Sequence, residues 1–126
     1  MILIFGGAYQ GKSAYALERF GLAEQDIFRC GDENIHMPEN KKVIYEIDKW
    51  ILALIKADID VDEAVRLFID QHKDAVVICN DISCGVVPID PVLRKWREAV
   101  GKSLAALSRT SDEVIRLFCG IPTRIK

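Results

Sequence analysis

Apolar positions along the chain follow two patterns: short continuous runs, and longer stretches that repeat every three or four residues. Ile2 to Phe5 is a continuous run, as expected of a strand buried on both faces. Ala75 to Cys79 and Val114 to Cys119 read the same way, and Asp26 to Cys30 and Thr123 to Ile125 read as shorter strands. Helical spacing begins at Lys12 and runs to about Leu22, with Gly21 weakening its end. Val43, Ile44, Ile47, Ile51, Leu54 and Ile55 recur at helical intervals, which predicts one amphipathic helix from Val43 to Ala57. A second starts at Val61, with Ala64, Val65, Phe68 and Ile69 on one face, and Asp60 followed by Glu63 resembles a capping box. Val92, Trp96, Ala99, Val100, Leu104 and Leu107 mark a long final helix. Gly31 to Lys42 and Asn80 to Pro91 carry the prolines and polar residues of loops. Strands alternating with helices predict an α/β fold whose sheet is at least partly parallel.

Composition narrows the class. A length of 126 residues fits one domain over 1–126 that buries its own core without a disulfide or metal staple. The 17 basic and 19 acidic side chains give a formal charge of −2, which argues against a general nucleic-acid binder. The longest apolar runs, such as Trp50 to Ile55, fall far short of the ~20 residues of a membrane span. The opening Met-Ile-Leu-Ile-Phe has no basic flank and runs into glycines, so it reads as a first strand rather than a signal peptide. Cys30, Cys79, Cys84 and Cys119 form no CxxC pair, so reduced structural thiols in a cytoplasmic protein are expected. Trp50 and Trp96 fall on apolar helix faces and read as core or subunit contacts; with so short a chain, a homo-oligomer is expected.

The candidate chemistry lies at the first strand–helix junction. Gly6-Gly7-Ala8-Tyr9-Gln10-Gly11-Lys12-Ser13 satisfies G-x-x-x-x-G-K-[ST], the Walker A pattern. Glycines let the backbone curl so that its N–H groups face phosphate oxygens, and the next helix adds its positive end. Lys12 can reach the terminal phosphates of ATP or GTP, and the Ser13 hydroxyl can ligate Mg²⁺. The pattern follows an apolar strand and precedes a helix, the context its chemistry requires. A second acid is needed at the end of a neighbouring strand. Asp81 follows Ala75 to Cys79 and fits, as the only strand read here that ends in an acid, whereas Asp48, Asp58 and Asp60 read as solvated. The competing reading of Asp81 is a loop-start aspartate bonding its own backbone. Arg94 and Arg97 share a helix face, where they could meet substrate phosphate or simply face water.

The segment Asn80-Asp81-Ile82-Ser83-Cys84-Gly85-Val86-Val87-Pro88 resembles the Asn-Glu-Val-Gly-x-Gly-Ile-Val-Pro stretch of bacterial adenosylcobinamide kinase / adenosylcobinamide-phosphate guanylyltransferase. The likeness continues through Arg94, Trp96, Arg97, Glu98 and Gly101, then Asp112-Glu113-Val114 and Gly120-Ile121-Pro122. Gly6 to Ser13 matches the family's opening phosphate loop. The resemblance implies a P-loop three-layer α/β sandwich, Mg²⁺, and a cytoplasmic oligomer of cobalamin biosynthesis. It also implies phosphorylation of the aminopropanol hydroxyl of adenosylcobinamide, followed by guanylyl transfer through a histidine in His-Arg-x-x-Arg-Pro.

That histidine stretch is absent here. His36 has no arginines beside it, and His72 sits at a predicted helix end. Tyr9-Gln10 replaces Arg-Ser in the loop, the middle is shorter, and an acidic strand of the family is missing between the two middle helices. The expectation is therefore a kinase of this type without the guanylyl step. The alternatives are a non-catalytic nucleotide-binding module and a kinase of another small alcohol.

Overall fold

A computed structural model describes residues 1–82 and 87–126. Ser83, Cys84, Gly85 and Val86, part of the segment that carries the family resemblance, lie outside the described residues. The elements run β1 (Ile2–Gly6), α1 (Lys12–Phe20), β2 (Ile27–Arg29), β3 (Val43–Tyr45), α2 (Ile47–Lys56), α3 (Val61–Gln71), β4 (Val76–Asn80), α4 (Pro91–Thr110), β5 (Glu113–Phe118) and β6 (Ile121–Arg124). A six-stranded sheet has the order β2-β3-β4-β1-β5-β6, parallel except for β6. The expected P-loop α/β architecture is what forms.

Alternation along the strands divides the core. Leu3, Val77, Cys79 and Val114 point to one face, where Ile47, Trp50, Ile51 and Leu54 of α2, Val65 and Phe68 of α3, and Val100 and Leu107 of α4 cover them. Ile4, Val76, Ile78 and Ile115 point to the other face, against Ala16 of α1. The central strands are therefore apolar throughout, because both of their faces are covered. Three layers result, with α1 alone of the α-helices among the described residues on one side.

Local chemistry sets several boundaries. Asp60 caps α3 by accepting from the Glu63 N–H at 3.1 Å. Asp90 caps α4 by accepting from Val92 and Leu93, with Pro91 at the first turn. Cys119 and Gly120 both have positive φ, 51° and 75°, and turn β5 into β6, as a two-residue hairpin of right-handed twist requires.

The middle differs from the helix predicted over Val43 to Ala57. Val43–Tyr45 is a strand that pairs with β2 and β4, and α2 starts only at Ile47. Between them Glu46 adopts a left-handed conformation, φ 60° and ψ 51°, which no helix continues through. β3 is followed directly by Glu46, with Asp48 two residues on in the first turn of α2; among the described residues no strand lies between α2 and α3.

Candidate functional site

The parallel strands β1, β3 and β4 end on the same edge of the sheet, and a cleft of about 800 Å³ opens there. Its walls are the loop from Ala8 to Ser13, the β3–α2 junction, Asn80 to Ile82 and Trp96. Ligands of open α/β sheets sit at such carboxyl ends.

The loop is held at both ends. Gly6 closes β1 against β5 so tightly that a Cβ there would lie 2.3 Å from the Leu117 carbonyl oxygen. Gln10 Oε1 accepts the Cys119 N–H, tying the loop to the β5–β6 turn. Tyr9, with φ 59°, is fully exposed at the tip. Gly11 sits at φ 83° and starts α1, whose first turn holds no acidic residue. The helix therefore presents its positive end and free amides to the cleft.

Lys12 is 4% exposed and donates to the Gly7 carbonyl at 2.6 Å. Burial lowers its pKa, with the charge of Asp48 the largest influence against this. Asp48 is 2% exposed, although the sequence reads it as solvated. It faces inward from the first turn of α2 and accepts from Asn80 N at 3.0 Å and Asn80 Nδ2 at 3.4 Å. Burial pushes its carboxyl upward, against the hydrogen bonds from Asn80. The Asp48 carbonyl accepts from Trp96 Nε1 at 2.7 Å, so Trp96 is a wall of the cleft, whereas Trp50 packs in the core. Glu46 pairs with Lys49 at 2.7 Å.

Asp81 follows β4 into the same cleft, its N–H bonded to the Gly6 carbonyl at 2.9 Å. Ser13, Glu46 and Asp81 give the cleft a hydroxyl and two carboxylates, whereas both Asp48 oxygens are taken by Asn80. The first three supply hard oxygen donors of the kind Mg²⁺ takes when phosphates and water complete its shell; among the described residues no group of three or more His, Cys, Asp or Glu could hold a metal by itself. The residues present fit that ion.

Arg94 and Arg97 stand elsewhere. They line a second cleft of about 610 Å³ with Val87, Glu98, Gly101 and Lys102. Neither histidine enters the phosphate-loop cleft. His36 lies beside Trp50 and Leu67 on another surface. His72 is buried, with both ring nitrogens 3.0 Å from carbonyl oxygens, of Phe68 and Pro38.

The family of cobinamide kinase / cobinamide phosphate guanyltransferase matches residues 36–125. The chain belongs to this family. The match begins beyond the phosphate loop and does not include Gly6 to Ser13. It also includes β3, Glu46 and Asp48. No curated protein matches the chain. Among the described residues no helix is long and apolar enough to cross a membrane. The family places the chain with cobinamide kinases and guanyltransferases of cobalamin biosynthesis, whose substrates are nucleoside triphosphates. What sequence reasoning missed was the β3–α2 corner. The signal available was the acid pair Glu46 and Asp48 straight after Val43-Ile44-Tyr45.

Proposed function

We propose that the chain is a Mg²⁺-dependent kinase that transfers the terminal phosphoryl group of ATP or GTP to the aminopropanol hydroxyl of adenosylcobinamide. The observation that carries this reading is the shared cleft. A Walker A loop and the acids ending β3 and β4 face one another in a chain of this family. The amides of Gly7 to Lys12 cradle phosphates, and Lys12 swings from the Gly7 carbonyl to the terminal phosphates. Ser13 and Asp81, with Glu46 beside them, would hold Mg²⁺, which would neutralise charge on the phosphates. The bond from the terminal phosphorus to the nucleoside diphosphate breaks as one to the substrate oxygen forms, and the hydroxyl proton passes to water. Positioning and charge do most of this work, so no strong general base is required. Arg94 and Arg97, on the second cleft, belong to the acceptor rather than the nucleotide.

The guanylyl step is not part of this reading. His72 has its ring nitrogens committed to carbonyls, and His36 lies on a different surface from the loop. A cytoplasmic homo-oligomer completes the proposal, and exposed Phe118, Ile121 and Ile125 on the β5–β6 hairpin offer a contact. A strictly monomeric sedimentation profile at micromolar concentration would count against that part.

Incubation with Mg·ATP or Mg·GTP and adenosylcobinamide is expected to yield cobinamide phosphate. Lys12→Ala should lower the rate by about 100-fold or more while the protein stays folded. Bound nucleotide without product would instead identify a nucleotide-binding module. Product from another alcohol alone would move the acceptor.

A further inference from the structure

A single aspartate stands where the sheet runs out of backbone. In a parallel sheet successive amides point to opposite neighbours. The Val76 N–H donates toward β3, to Lys42 O at 2.9 Å, and the Asp81 N–H donates toward β1, to Gly6 O at 2.9 Å. Even-numbered amides of β4 therefore face β3, and the next to need an acceptor beyond the ladder is Asn80. There β3 has already ended at Tyr45, and the chain has turned through Glu46 into α2. The acceptor at that place is Asp48 Oδ1, 3.0 Å from Asn80 N, with Oδ2 3.4 Å from Asn80 Nδ2.

We propose that Asp48 is a positioning residue: its carboxylate replaces the missing β3 backbone, fixes Asn80, and so aims Asp81 at the phosphate loop. This rests on the reading of the cleft as a Mg²⁺–nucleotide site. Two consecutive amides at the end of β4 are pinned from opposite sides, Asn80 by Asp48 and Asp81 by Gly6. The backbone that carries the Asp81 side chain is thereby fixed in direction. Trp96 Nε1, bonded to the Asp48 carbonyl at 2.7 Å, keeps the start of α2 from retreating. The same carboxylate sets a buried negative charge near Lys12. Asp48 does not touch the transferred group; it acts through Asn80 and Asp81.

The role separates from plain structural support because it predicts a loss in metal dependence. Nucleotide affinity of the full chain is measured by calorimetry with and without Mg²⁺, for wild type, D48N and D48A, alongside thermal melts. The amide of D48N keeps an oxygen for the Asn80 N–H, whereas D48A leaves that donor unmade. In D48A the enhancement of affinity by Mg²⁺ should fall about tenfold, with affinity in EDTA changed less than about threefold. In D48N the enhancement should stay within about threefold of wild type, and a D48N that loses it about tenfold overturns the proposal even if D48A fails to fold. The proposal is overturned if D48N loses as much as D48A. It is also overturned if folded D48A keeps the wild-type enhancement, in which case the site itself stands. Wild type that binds no nucleotide at all overturns both readings together.

Discussion

Gly6 and Gly7 are adjacent in the phosphate loop, yet the structure assigns them opposite tolerances. A Cβ on Gly6 would lie 2.3 Å from the Leu117 carbonyl oxygen, whereas one on Gly7 would meet only the Gln10 side chain, at 3.7 Å from Cγ. Close Cα–H···O contacts between strands have C···O distances of about 3.3–3.6 Å, so Gly6→Ala must open β1 from β5 by about 1 Å. The obstacle is backbone in a central strand pair and cannot rotate aside. Overpacking costs about 1–3 kcal/mol and more where nothing yields, so Gly6→Ala is expected to cost about 3 kcal/mol or more. Domains commonly have about 5–15 kcal/mol in all, and at this size each kcal/mol moves Tm by about 3–5 °C. Gly6→Ala should therefore lower Tm by about 10 °C or more. Gly7→Ala, with room around it, should stay within about 3 °C of wild type. Thermal unfolding followed by circular dichroism measures both. A Gly6→Ala midpoint within about 3 °C of wild type, or an equal fall in Gly7→Ala, would refute the reasoning.

Three further outcomes are expected. His72→Phe keeps the ring stacked on Phe68, now 4.4 Å between centroids, but ends the hydrogen bonding to the Phe68 and Pro38 carbonyls. It should cost about 1–3 kcal/mol in urea unfolding, and an unshifted midpoint would contradict it. Burial pushes the Cys30 thiol up to about 12 and raises that of Cys79 as well, whereas Cys119 is exposed. Iodoacetamide at mild alkaline pH should therefore label Cys119 at least about tenfold faster than either, with peptide mapping showing the gap vanish in denaturant. The Asp112 carboxyl, 3.0 Å from the Met1 ammonium, is held below its usual value by that hydrogen bond and charge. A depressed carboxylate contributes stability above its unfolded pKa of about 3.9 and loses it as pH falls further. The Tm difference between wild type and Asp112→Asn should thus be present near pH 6 and fade below about pH 4. A difference that grows on acidification would have the wrong sign.

The fold was legible wherever one pattern excluded its rival. Ile2 to Phe5 is too short and too uniformly apolar for a helix, and the glycines after it mark the turn into α1. Asp60, before an apolar repeat, marks a real cap. Val43 to Tyr45 was not legible. Val43 and Ile44 fit both a buried strand and the leading edge of the α2 repeat, and a strand of 3 residues gives period-two alternation no room to show. The break is set by Glu46 in a left-handed conformation, which nothing in that side chain demands. In the cleft, Gly6 to Ser13 were suggested by the spacing of their pattern and Asp81 by its place after an apolar strand, and the fold brings the Ala8–Ser13 part of that loop and Asp81 to one cleft. Asp48 could not be read, because an aspartate in the first turn of a helix is ordinarily solvated. Its burial comes from where β3 stops beside β4, a relation between segments some thirty residues apart.

The strand order has a consequence for how the chain is made. β1 is synthesised first, yet its two neighbours in the sheet are β4 and β5, and the carbonyl that closes on Gly6 belongs to Leu117. Gln10 likewise finds its partner only at Cys119. While the ribosome is still extending the middle of the chain, the phosphate loop has nothing to fold against. Sheet assembly must await the long closures that bring the C-terminal strands to β1, a topology that slows folding and leaves Ile2 to Phe5 open to other contacts meanwhile. Nascent chains arrested before β5 emerges should therefore show no nucleotide-protected loop, and acquisition of the site should coincide with release of the last strands.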